Sequence, residues 1–251
     1  MSDHTDSEFP SDTVEVHLDT DALVAAAAAR FVAIVVAAQA ERGSASVVLT
    51  GGGTGIGLLE QVHKTPGDID WSRLDVFWGD ERFVPAGDPE RNDLQARQAL
   101  LDHVPLDPAR VHPVATSDGE YPDPVEAAAE YSAAVHAYLA EHSAFDLHLL
   151  GMGGEGHVNS LFPHTDAVRE KHELVVAVTD SPKPPPVRVT LTLPAVRRTR
   201  HVVLAVGGAA KAEAVAAALA GAKPVDIPAA GAMGIDSTTW LLDQEAAAAL
   251  R

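Results

Sequence analysis

The sequence predicts an α/β fold in which a mainly parallel central sheet is flanked by helices on both faces, a Rossmann-like layered arrangement. Three observations lead there. Apolar, β-branched runs alternate along the chain with helical stretches, the pattern of repeated strand and helix units. Several of these runs are apolar throughout rather than at every second residue, as in strands covered on both faces. Glycines follow the runs at 46–50, 74–78, 145–150 and 202–206, and open α/β sheets bind ligands at the carboxyl ends of their strands.

The elements follow in chain order. Residues 22–40, ALVAAAAARFVAIVVAAQA, approach the length of a bilayer span, but Arg30 sits at the centre. A charge there costs roughly 2.5 to 3.5 kcal/mol on insertion, and alanine returns little. A buried helix is the better reading, with Asp21 near its start, the stripe Val24, Phe31, Val32 and Val35, and Gly43 beyond its end. Strands are expected at 46–50, 74–78, 145–150, 174–179, 187–193 and 202–206. Helices are expected at 58–64, 94–101, 125–142, 210–220 and 244–250. The proline run from Pro182 to Pro186 reads as a stiff connection, and no internal repeat is visible.

Composition bounds the function. With 251 residues, 46% hydrophobic and 22% charged, the chain has the make-up of a soluble globular protein with a sizeable core. One domain is expected: an acidic flexible tail at 1–12, then a single α/β domain at 13–251. A net charge of −18 repels phosphate backbones and anionic lipid, so neither nucleic acid nor membrane is an expected partner. A small anionic substrate requires the few cations to gather at one site, and Arg82, Arg188 and Lys211 stand on loops or near glycines. Cysteine is absent, which excludes disulfides, thiolate metal ligands and a thiol nucleophile. The start, MSDHTDSEFPSD, is acidic where an export signal would be basic and then apolar, so a cytoplasmic location and a monomer are expected.

Four motifs carry chemistry. In LTGGGTGIG a strand runs into glycines and then a helix, so the backbone amides of Gly52, Gly53 and Thr54 can approach an anion. FWGDERFVP, followed by Arg91, Asn92 and Asp93, places Asp80 and Arg82 on the same edge if the strands are parallel. GMGGEGHVNSLFPHT sets His157 and Glu155 among glycines directly after an apolar run; the blander reading is a core histidine, the fate of most of the twelve. GGAAKAEAV puts Lys211 in the first turn of a helix, where its ammonium opposes the dipole and invites a compensating anion. No HExxH or paired histidine spacing supports a metal, and no GxSxG elbow supplies a covalent nucleophile.

The first motif also fits the TGxxxGIG fingerprint of short-chain dehydrogenases. Those enzymes need lysine four residues after tyrosine, but Val125, Val135 and His142 stand there after Tyr121, Tyr131 and Tyr138. A nicotinamide enzyme is set aside on that ground.

Taken in order, the early glycine loop, GDERFVP, GMGGEGHVNSLFP, RVTLTLP, GGAAKAEAV and the ending TTWLLDQEAA resemble the 6-phosphogluconolactonase family from about residue 45 onward. The family's histidine loop usually reads GxxxDGHTASLFP, so Glu155 stands for aspartate, Val158 for threonine and Asn159 for alanine. The resemblance implies hydrolysis of 6-phosphoglucono-δ-lactone to 6-phosphogluconate without metal or organic cofactor. It makes His157 the general base and gives Glu155 an orienting or electrostatic role. Gly52, Gly53, Thr54, Arg82, Arg188 and Lys211 become the phosphate site, with Asp80 and Asn92 serving sugar hydroxyls or supporting them. The rival is glucosamine-6-phosphate deaminase, whose histidine loop leads to an AFNEPG-like motif with a catalytic glutamate; here NSLFPHT follows, with no acid before Asp166. A noncatalytic sugar-phosphate sensor remains the third alternative, but the acidic N-terminus offers no basic DNA-binding helices.

Overall fold

The computed structural model describes residues 9–250, so most of the expected tail, residues 1–8, lies outside the described residues. Among the described residues the strands are β1 (Thr13–His17), β2 (Ala45–Leu49), β3 (Leu74–Trp78), β4 (Asp80–Arg82), β5 (Phe145–Leu150), β6 (Val175–Val178), β7 (Arg188–Leu191), β8 (Thr199–Val206) and β9 (Ser237–Asp243). The α-helices are α1 (Thr20–Arg42), α2 (Gly52–Lys64), α3 (Asn92–Ala99), α4 (Pro124–His142), α5 (Asp166–Arg169), α6 (Leu193–Val196) and α7 (Ala212–Leu219).

Six strands form one parallel sheet in the order β1-β9-β8-β5-β2-β3. Alternate side chains of the central strands serve two different cores, as the two-residue period requires. Val47, Leu49, Leu147, Leu149 and Val203 meet α1 and α2 on one face. On the other, Val48, Phe77 and Phe145 meet α4, while Val202, Leu204, Trp240 and Leu242 meet α7. Burial on both sides explains why these strands read as unbroken apolar runs.

Helix α1 is long and apolar enough to cross a bilayer, yet Leu23, Ala27, Phe31 and Val35 are buried against the sheet. Its cap is Asp19 rather than the expected Asp21: Asp19 Oδ1 accepts the Ala22 N–H at 2.9 Å, and Gly43 closes the helix in the left-handed region.

Two expected strands do not join the parallel sheet. β6 and β7 pair with β4 in a separate antiparallel sheet of order β4-β7-β6. β4 begins one residue after β3, so the chain leaves the main sheet at Gly79 and enters the small one at Asp80. The expected helix at 244–250 is instead a series of turns. Seven residues are too few to hold a helix by alanine propensity alone, and Asp243 accepts the N–H groups of Ala246 and of Gly208 across the chain. At the other end, the Trp240 indole donates to Asp12 at 3.1 Å, which ties the last residue of the expected tail to the sheet.

Candidate active site

Strand β2 pairs with β3 on one side and β5 on the other, so the sheet reverses its winding between β2 and β5. Connections leaving the two strands there diverge to opposite faces and open a crevice at their carboxyl ends. Glycine loops follow both strands, and the Gly151 N–H donates to Thr50 Oγ1 at 3.3 Å across the gap. A cavity of about 240 Å³ lies in this crevice, and Gly52, Gly53, Thr54, Asp80, Arg82, Asn92, His157, Arg188 and Lys211 all line it. A larger groove, about 650 Å³, runs along α1 between its alanines and a charged border that includes Arg42, Arg200 and Asp236, away from every one of these groups.

Each wall has its own local cause. Helix α2 starts at Gly52 without a side-chain cap, so its first-turn amides are left for a guest in the cavity. On β4 successive side chains alternate: Asp80 and Arg82 turn to the cavity, while Glu81 turns inward. Buried Glu81 accepts the N–H groups of Asn92 at 2.7 Å and Asp93 at 2.8 Å, which fixes the start of α3. Asn92 in turn donates to the Asp80 carbonyl at 2.8 Å. Burial pushes Glu81 up to about 7, against the pull of Arg91 and three backbone N–H groups.

Asp80 Oδ2 accepts the Ser160 hydroxyl at 2.6 Å and stands 3.7 Å from Arg188. The Arg188 guanidinium is buried and donates to the carbonyls of Lys183, Pro184 and Pro185, so its position is set by the proline connection. Arg82 is held by the Glu90 carbonyl and Lys211 by the Met152 carbonyl. Burial, with Lys183 nearby, also draws the Lys211 pKa below its ordinary value.

The histidine loop leaves β5 and turns back at Gly156, where φ is 84°. A Cβ on Gly153 would lie 2.0 Å from His157 Nδ1, so only glycine admits the ring at this place. The ring packs on Phe162 with centroids 4.4 Å apart, and its side chain keeps 18% exposure. Nδ1 is 3.2 Å from Glu155 Oε1. Burial lowers the His157 pKa, with Glu155 opposing and Lys183 assisting. The imidazole is therefore neutral at neutral pH and free to take a proton. Glu155 does not line the cavity; it sits at the rim with the Lys183 ammonium 2.9 Å from its carboxylate. Despite partial burial, that ammonium and neighbouring donors bring Glu155 down to about 2.

Lys183 and Asn159 also line the cavity, although neither is among the candidates the sequence supplies. Lys183 arrives from the proline run, 28 residues from Glu155, and no spacing announces the pair. Asn159 lies in the histidine loop, where its residue type differs from the family's usual alanine.

The family model for glucosamine-6-phosphate isomerases/6-phosphogluconolactonase matches residues 18–240. The chain belongs to that family. It is 55% identical over 250 residues to a 6-phosphogluconolactonase of Streptomyces coelicolor, covering 96% of each chain. To the 6-phosphogluconolactonase of Mycobacterium tuberculosis it is 54% identical over 244 residues, with 96% of this chain and 99% of the relative covered. The solved 6-phosphogluconolactonase of Trypanosoma cruzi superposes with a TM-score of 0.81 at 29% identity, over 96% of this chain and 98% of that one. Membership also accounts for the fold: a parallel sheet with helices on both faces, as the sequence predicts.

Proposed function

We propose that this family member hydrolyses 6-phosphoglucono-δ-lactone to 6-phosphogluconate in the oxidative pentose phosphate route, with His157 as general base. The observation that carries the reading is a neutral, partly exposed imidazole in a cavity that also gathers Arg82, Arg188, Lys211 and the uncapped start of α2. Relatives at 54 and 55% identity are lactonases, which favours ester hydrolysis over deamination.

In this mechanism the phosphate sits against the amides of Gly52, Gly53 and Thr54 and the three cations, which supply charge-assisted hydrogen bonds. His157 removes a proton from water as the water oxygen bonds to the lactone carbonyl carbon. Backbone N–H groups of the glycine loops stabilise the resulting oxyanion. As the intermediate collapses, the bond from carbon to ring oxygen breaks and the imidazolium returns its proton to that oxygen. Glu155 stabilises the imidazolium in between, held in its charged form by Lys183. Asp80 and Asn92 face the sugar. The same reading has the protein act as a cytoplasmic monomer, away from nucleic acid and membranes, for which its charge of −18 is the support.

A pH-stat assay on freshly generated 6-phosphogluconolactone tests the reaction: acid release must exceed the buffer background. Ammonia release from glucosamine 6-phosphate, with no excess acid from the lactone, would replace it with a deaminase.

A further inference from the structure

Asn159 lies two residues beyond His157, and its side chain lines the cavity while being only 7% exposed. Neither Oδ1 nor Nδ2 meets a protein partner at full hydrogen-bond geometry, and the one polar side chain that engages the amide is His148, which can satisfy at most one of its groups. A buried carboxamide left in that state costs about 1 to 3 kcal/mol for each unmet group, so its retention calls for a guest. Its placement is deliberate in three respects. The backbone of Asn159 adopts φ 49°, a left-handed conformation that asparagine tolerates better than most side chains. Gly79 makes room for it, since a Cβ there would lie 2.3 Å from Asn159 Oδ1. Behind it stands His148, fully buried in β5 and kept neutral by burial, which brings its pKa to about 3 against the pull of its contact with Asn159, so the ring holds one side of the amide and leaves the rest for the cavity.

The chemistry of the guest follows from the neighbours. Ser160, the next residue, donates to the Asp80 carboxylate and accepts from Arg188, so Asn159 borders a paired carboxylate and guanidinium rather than a free cation. A phosphate only accepts hydrogen bonds and would leave the amide oxygen unmet. An amide offers one acceptor and two donors, which match a hydroxyl that both donates and accepts. We propose that Asn159 is a specificity residue whose carboxamide hydrogen-bonds a ring hydroxyl of the lactone, between His157 and Asp80. The inference rests on the lactonase reading and refines it.

The test pairs a deletion in the enzyme with deletions in the substrate. Wild type, Asn159→Ala and Asn159→Gly are assayed on the 6-phosphogluconolactone and on its 2-, 3- and 4-deoxy analogues; the glycine variant accommodates φ 49° and separates side-chain loss from backbone strain. Both variants are expected to lose on the order of tenfold in kcat/KM on the parent lactone. That loss should disappear for the one analogue lacking the contacted hydroxyl, a result that a merely structural role does not produce. An unchanged kcat/KM in the glycine variant, or the same loss on every analogue, overturns the inference. Wild-type hydrolysis of the parent lactone in the same plate separates either result from failure of the lactonase reading itself.

Discussion

Two glutamates flank the cavity and face opposite fates. Glu81 is wholly buried beside Arg91, which is 3.7 Å away, and burial pushes its carboxyl up to about 7. Glu155, about one-third exposed and 2.9 Å from Lys183, is drawn down to about 2. Both carboxylates have a cation and nearby N–H donors; what differs is access to water. The buried pair serves the frame, since Glu81 ties β4 to the start of α3. The rim pair can respond to a histidine whose charge changes during reaction.

The largest test of that contrast removes the histidine on one side and the glutamate on the other. His157→Ala should lower kcat by about 10² to 10⁴ while leaving the urea midpoint near that of wild type. Glu81→Ala should do the reverse, costing about 3 to 5 kcal/mol of stability because it strands three backbone N–H groups and leaves the buried Arg91 guanidinium with only Asp93, 4.0 Å away, as a counter-charge. A rate loss without a stability loss in the glutamate variant would collapse the distinction. The milder Glu81→Gln probes the same point through pH. Because this carboxyl holds its proton more tightly folded than unfolded, the native state binds more protons between about 4.5 and about 7. Stability therefore falls as pH rises through that window. The glutamine variant should lose that part of the slope in urea titrations across it.

The central strands and the glycine loops are more legible in the sequence than the sheet edges and the proline connection. β2, β3, β5 and β8 announce themselves as apolar runs because both faces are covered. β1, TVEVH, is a half-exposed edge strand whose polar residues hide it, and β4 is three charged residues that read as a turn. β9 has only Trp240, Leu241 and Leu242 as an apolar run behind Ser237, Thr238 and Thr239, too short a signal to stand out. Glycine loops exposed the active-site positions because close backbone approach restricts residue choice. Lys183 and His148 gave no such signal: one sits in a proline connection, and the other occupies a strand where a histidine looks like core.

A smaller effect concerns the phosphate. Lys211→Ala should raise KM for the phosphorylated lactone by about 10 to 100-fold, the worth of one charged hydrogen bond, and leave unphosphorylated gluconolactone unchanged. Equal weakening on both substrates would remove Lys211 from the phosphate site and return it to bracing the Met152 loop.

The smallest expected effect is the most discriminating, because its sign is fixed by electrostatics. The Glu155 charge raises the His157 pKa and the Lys183 charge lowers it. In the pH profile of kcat/KM, which reports the free enzyme, the acidic limb marks deprotonation of the general base. Glu155→Gln should move that limb to lower pH, and Lys183→Met should move it to higher pH. The double variant should fall between them, since the two charges act on the same ring from opposite sides of one ion pair. Shifts in the same direction from both single variants would mean that the rim pair acts by shaping the loop rather than by its charge, and the contrast with Glu81 would then lose its electrostatic basis.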